Sequence, residues 1–256
     1  MRTILITSIA FLALTFQGVA QDAHEITVKS TEAIEFEAME MASSLYIHDN
    51  RGNTREREVA VATKKFGSTT KTLMRFLSPA DVQGTAILIH DYEEKSDDMW
   101  VYLPSMRRTR RIVSTERGKS FMGSEFSNAD MSRPNVNDFT YKLLGEETVN
   151  GKPCWIVESL AKSREVETEY GFKRRVSYIE KSTYLIQKSE IYDRMNKLNK
   201  IMTLSDYRKQ SNGRYFSYGM QMENVQNKRR SEMRVNKFQM GTNLNEGSFA
   251  VSAIEN

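Results

Sequence analysis

The stretch that decides the fold is "RYFSYGMQMEN", Arg214–Asn224. In an extended chain Phe216, Tyr218, Met220 and Met222 fall on one side, with Tyr215, Ser217, Gly219, Gln221 and Glu223 on the other. Successive side chains of a strand point to opposite faces, so a period of two with one apolar side describes a strand half buried against a core. The pattern recurs at Met39, Met41, Leu45 and Ile47, then at Val59, Val61 and Thr63. It returns at Phe139, Tyr141 and Leu143, at Trp155 and Val157, at Val176 and Tyr178, and at Met233 and Val235. Turn sequences separate the runs at hairpin spacing: "DNRGN" (49–53), "NGK" (150–152), "EKST" (180–183) and "QSNG" (210–213). With only 4 prolines and 13 glycines, strands can run long. The reading is a mainly β fold of roughly ten or eleven antiparallel strands. Asp22 followed by Glu25 suits a capping box, which predicts one short helix over about Ala23 to Thr31.

A long antiparallel sheet with one apolar face has to cover that face. The cover on offer is thin: the short N-terminal helix and "SFMGSEFSNADMSRPNVND" (120–138), which breaks the alternation and carries Phe121, Met122, Phe126 and Met131. A strongly curved sheet would then enclose an apolar groove. The expected lining is Met39, Met41, Leu45, Val59, Val61, Trp100, Tyr102, Phe121, Met122, Tyr141, Trp155, Tyr178, Phe216, Tyr218, Met220 and Met222. The chain has 14 methionines, unbranched and polarizable side chains that adapt to irregular apolar partners.

The N-terminus opens with Arg2, runs apolar from Ile4 to Phe16 and closes on Gly18 and Ala20. That is the layout of a secretory signal peptide cleaved after Ala20, which leaves residues 21–256 as one exported domain. Cys154 is the only cysteine, so no internal disulfide forms, and the cleavage site carries no cysteine for a lipid anchor. The expectation is a monomeric protein of the periplasm.

Four arginines crowd "LPSMRRTRRIVS" (103–114): Arg107, Arg108, Arg110 and Arg111. A basic cluster suggests nucleic acid. Export argues against that, and so does the balance of 37 basic against 33 acidic residues, a net charge of +4. The patch is expected beside the mouth of the groove, where it would meet an anionic head group or an acidic partner.

Catalytic constellations are missing from the sequence. His24, His48 and His90 are scattered without metal-ligand spacing, and Cys154 reads as a small buried hydrophobe. No nucleophile elbow, P-loop or dinucleotide fingerprint occurs. The carboxylates of "DYEEKSDD" (91–98) read as a solvated hairpin turn. No enzyme, cofactor or metal is expected.

Several blocks resemble the outer-membrane lipoprotein-sorting protein family, related to the LolA/LolB lipoprotein carriers. They are "LMRFLSPADVQGTAILI" (73–89), "DDMWVYLPSMRRTRRI" (97–112), "SFMGSEFSNADM" (120–131) and "YKLLGEETVNGKPCWIVE" (141–158). The resemblance implies an unclosed β-barrel with helices plugging its mouth, a periplasmic location, and a cargo of lipid or lipoprotein acyl chains. It also implies companionship with an inner-membrane exporter. An adaptor of such an exporter that binds no lipid is the alternative reading. The motif residues carried over are Phe76, Pro79, Asp81, Gly84, Tyr102, Leu103, Pro104, Arg107, Arg108, Arg111, Phe121, Gly123 and Ser124.

Overall fold

The computed structural model describes residues 22–93 and 95–255; the expected signal peptide lies outside them. Thirteen strands form one antiparallel sheet, two or three more than the alternation predicts. They are β1 (Ala38–His48), β2 (Thr54–Phe66), β3 (Thr69–Ser78), β4 (Ala86–Tyr92), β5 (Asp98–Leu103) and β6 (Arg108–Ile112), then β7 (Phe139–Val149), β8 (Lys152–Ala161), β9 (Arg174–Glu180), β10 (Ile186–Tyr192), β11 (Leu198–Lys209), β12 (Tyr215–Asn224) and β13 (Arg229–Met240). The helices are α1 (Ala23–Glu32), α2 (Ser114–Arg117) and α3 (Arg164–Tyr170). Asp22 caps α1 by accepting the His24 amide, whereas Glu25 turns outward to Lys29 at 2.6 Å instead of closing the expected box.

The strand order is β6-β5-β4-β3-β2-β1-β13-β12-β11-β10-β9-β8-β7. First and last strands pair in the middle, Met39 opposite Met240 and His48 opposite Arg230. The two free edges are therefore β6 and β7, consecutive in the chain. Between them the backbone leaves the sheet for 26 residues, 113–138, and this excursion fills the concave side. The sheet stays open because the segment that would have joined its edges is occupied as the plug.

The main core lies on the concave face, where Leu45, Phe76, Ile89, Met99 and Met222 pack against Phe121 and Phe126 of the plug. Phe121 and Phe126 are fully buried, and each contributes roughly 1.5–3 kcal/mol by leaving water. β4 is apolar on both faces, "AILI", because both are covered. Ile87 and Ile89 face the concave core, while Ala86 and Leu88 meet Phe249 and Ile254 of the C-terminal segment wrapped over the convex side.

Candidate functional site

The plug does not fill the concavity completely. A cavity of about 240 Å³ opens at the end of the sheet that carries the β2–β3 turn. Its wall is apolar: Val59, Val61, Ile89 and Phe121, with Phe36 from the chain between α1 and β1. Six methionines complete it, Met39, Met41, Met74, Met131, Met220 and Met233.

Charge collects at the mouth. Arg133 of the plug donates to Glu35 at 2.8 Å and lies 3.6 Å from Asp91, and its Nη2 also reaches Thr70 Oγ1 at 3.3 Å. The Arg133 amide donates to the Asp91 carboxylate at 3.3 Å. One side chain thus ties the plug to β3, to β4 and to the chain between α1 and β1. Lys65 joins from β2, 3.1 Å from Glu93 and 3.7 Å from Glu35. Burial, with Asp97 adding to it, pushes the Asp91 carboxyl up to about 6 against the pull of Arg133. Beside it Arg117, 2 % exposed, lies 2.6 Å from Asp97 and bonds Glu169 of α3 and Ser132 of the plug. Glu169 is raised by its burial. The acidic run 91–98 is therefore not simply a solvated turn: its first and seventh residues are built into the seam between plug and sheet.

Deeper in, cations of the sheet hold the "FMGSEF" loop by its backbone. Arg57 donates to the Met122 carbonyl, Lys200 to that of Glu125, and Arg229 to that of Gly123. The buried Glu125 carboxylate accepts from Asn224 at 2.9 Å and pairs with Arg229 at 3.1 Å. The plug is a docked element held by named partners.

Of the sixteen residues expected to line the cavity, Met39, Met41, Val59, Val61, Phe121 and Met220 do so. Leu45 and Met222 are on the concave face but sealed in the core, and Met122 packs at its margin. Phe216 and Tyr218 stand at the rim: Phe216 stacks on Phe238 at 4.0 Å behind Phe36, and Tyr218 lies under the Arg208 guanidinium. Tyr141 and Trp155 belong to the neighbouring cluster under α1. Trp100, Tyr102 and Tyr178 require correction. On β5 it is Met99 and Val101 that face the concave core, so Trp100 and Tyr102 pack on the convex side beneath Phe249. Tyr178 lies with Cys154 and Val176 in a separate cluster away from the cavity.

The arginine cluster is also displaced from its expected place. β5 pairs with β6 so that Leu103 opposes Arg108, and β4 pairs with β5 so that Ala86 opposes Tyr102. The turn bearing Arg107 therefore lies at the end of the sheet opposite the mouth, where Asp91 and Ile89 sit. Cationic groups of the mouth are Arg133 and Lys65, which periodicity could not single out.

Three of the four resemblance blocks meet in space at that far end, while the fourth, 141–158, lies in β7 and β8 at the other edge of the sheet. Gly84, at φ +79°, leaves room that a Cβ would lose, with the Pro104 ring 3.2 Å from its place. The Phe76 and Phe121 rings lie 6.1 Å apart. A family model described as "Uncharacterized protein" matches residues 68–256. A solved outer-membrane lipoprotein-sorting protein domain from Vibrio parahaemolyticus is 26% identical, covers 92% of this chain and 100% of its own, and superposes with a TM-score of 0.85. This chain belongs to the family of that model, and its solved neighbours include this lipoprotein-sorting protein domain. A DUF1329 family protein from Desulfovibrio piger is 28% identical, with 91% and 97% of the two chains covered and a TM-score of 0.84. A LolA superfamily protein from Nitrosomonas europaea, 19% identical over 90% and 98% of the chains, shares the fold at a TM-score of 0.70. Comparison with curated proteins finds no match. The fold shared with these neighbours is an open antiparallel sheet around a plug, and in this chain the motif blocks build the packed end and also contribute Met74, Ile89, Phe121 and Met131 to the cavity wall.

Proposed function

We propose that this protein is a periplasmic carrier that shelters an acyl chain of a lipid or lipoprotein in its concave cavity. The observation that carries the reading is the cavity wall, in which six methionines and Val59, Val61 and Ile89 leave apolar surface facing a void. Methionine adapts its shape to an occupant at little strain, and an unoccupied apolar hollow forfeits dispersion contacts that a chain would restore. At about 240 Å³ the hollow lies just under the ligand-pocket range of roughly 300–1,000 Å³, which suits one acyl chain and not a bundle of several. Arg133 and Lys65 would meet an anionic head group at the mouth, at the expense of their bonds to Glu35. Similarity to a solved lipoprotein-sorting protein domain supports the class of cargo. Among the described residues no helix is long and apolar enough to cross a membrane.

The test is native mass spectrometry of the purified protein together with titration of a fluorescent fatty acid. Acyl species should copurify, and Val61→Trp, which fills the hollow, should weaken the fatty acid at least about tenfold. Absence of any bound acyl species, with equal titration of both proteins, would remove the carrier reading.

A further inference from the structure

The edge strand β6 offers a surface of a different kind. It pairs with β5 on one side only, and as the end of the sheet it leaves the backbone groups of its other side without a strand partner among the described residues. Arg108, Arg110 and Arg111 are exposed along it, and Arg107 is exposed in the turn before it. Two of the four are neutralised within the chain: Arg110 lies 2.9 Å from Glu116, and Arg111 pairs with Asp98. Among the described residues no carboxylate lies within ion-pair distance of Arg107 or Arg108. Arg107 holds its exposed position at φ +46°, a left-handed conformation that glycine or asparagine would adopt at lower cost. Apolar side chains flank the strip, Met106 at 62 % exposed and Val113 at 48 %.

We propose that β6 is a docking edge that receives an extended acidic segment of a partner protein as an added antiparallel strand. Unpaired main-chain groups supply the register and the free arginines supply the selection, the mode in which a peptide extends an exposed sheet. A membrane surface offers anionic charge but no strand to pair, so the free backbone favours a peptide. A second β6 would bring arginines against arginines, which disfavours symmetric pairing of two copies. The opposite edge strand β7 carries a bulge between Leu143 and Gly145, as several inner strand pairs also do. β6 has no such break in its register with β5. The inference stands apart from any acyl cargo, because β6 and the mouth are different sites.

The probe is a blocked synthetic octapeptide alternating glutamate with valine, titrated by fluorescence anisotropy. Three comparisons accompany it: the same peptide N-methylated at alternate residues, a lysine–valine peptide, and phosphatidylglycerol vesicles. The acidic peptide should bind and protect β6 amides from hydrogen exchange, and the other two peptides should not bind. Arg107→Glu with Arg108→Glu should weaken it at least about tenfold, while Arg107→Lys with Arg108→Lys stays within about threefold. Both pairs are surface changes, and circular dichroism checks that each variant is folded. Equal binding of the methylated peptide, indifference to charge reversal, or binding of vesicles alone would overturn the proposal. So would self-association of the protein that the same reversal abolishes.

Discussion

Asp91→Asn should stabilise this protein at neutral pH and leave it unchanged in acid. The Asp91 side chain is 13 % exposed at the mouth of the cavity, and its carboxyl is raised from 3.8 to about 6. Burial is the largest cause and the neighbouring Asp97 the next, and the bonds from Arg133 only partly offset them. A shift of about two units corresponds to ~3 kcal/mol that the ionised carboxylate costs the folded state at pH 7, taken as a ceiling. Between pH 4 and 6 the folded chain binds more protons at this position than the unfolded chain. Stability from this group therefore rises as pH falls through 6 and is fully recovered only below the unfolded value of 3.8. Asparagine keeps an oxygen for the Arg133 amide and removes the charge. In thermal unfolding at pH 7.5 the variant should melt higher by several degrees, at roughly 2–4 °C per kcal/mol for a chain of this size. At pH 3, below the unfolded value of 3.8, the two proteins should melt together. The difference between them at each pH is the relevant quantity, because Glu169, Glu180 and Glu190 titrate in both. A variant that melts lower than the wild type at pH 7.5, or a gap that does not close in acid, would refute the reasoning. The physical meaning is that the mouth keeps a charge which the fold alone would not favour, and that charge fastens Arg133 across the opening.

Phe121→Ala removes a ring that is 1 % exposed and touches both the core and the cavity, and it should cost about 3–5 kcal/mol in urea unfolding; a loss under 1 kcal/mol would mean the plug is not part of the core. Arg117→Ala leaves Asp97 and Glu169 buried without their cation, and should cost about 3–5 kcal/mol at pH 7. That loss should shrink in acid as the raised Glu169 carboxyl protonates, which unfolding at pH 4.5 and pH 7.5 would reveal.

The mainly β architecture and the N-terminal helix were legible because both are local patterns. Alternation of Phe216, Tyr218, Met220 and Met222 needs no partner to be recognised, and Asp22 caps α1 within a single turn. Alternation fails at some strands for a physical reason: β4 is apolar on both faces because both are covered, and three of the five residues of the edge strand β6 are arginine. The face that each strand turns inward could be read where polar residues occupy the other side, as at Met39 and Met41. It could not be read on β5, where Trp100 and Tyr102 are as apolar as Met99 and Val101, and a C-terminal segment about 150 residues away decides which pair is covered.

By itself the sequence determined an antiparallel sheet with one greasy side, a short capped helix, and an irregular segment rich in phenylalanine and methionine. Those outcomes follow from side-chain period and turn chemistry, which act between near neighbours. Tertiary structure decided that β1 closes on β13, that residues 113–138 plug the hollow, and that Arg133, not the arginine cluster, guards the mouth. The reason is register: the end of the sheet at which a residue lies depends on which strands pair and with what offset. That choice is made by the burial of the whole concave face at once, not by any stretch of chain within it.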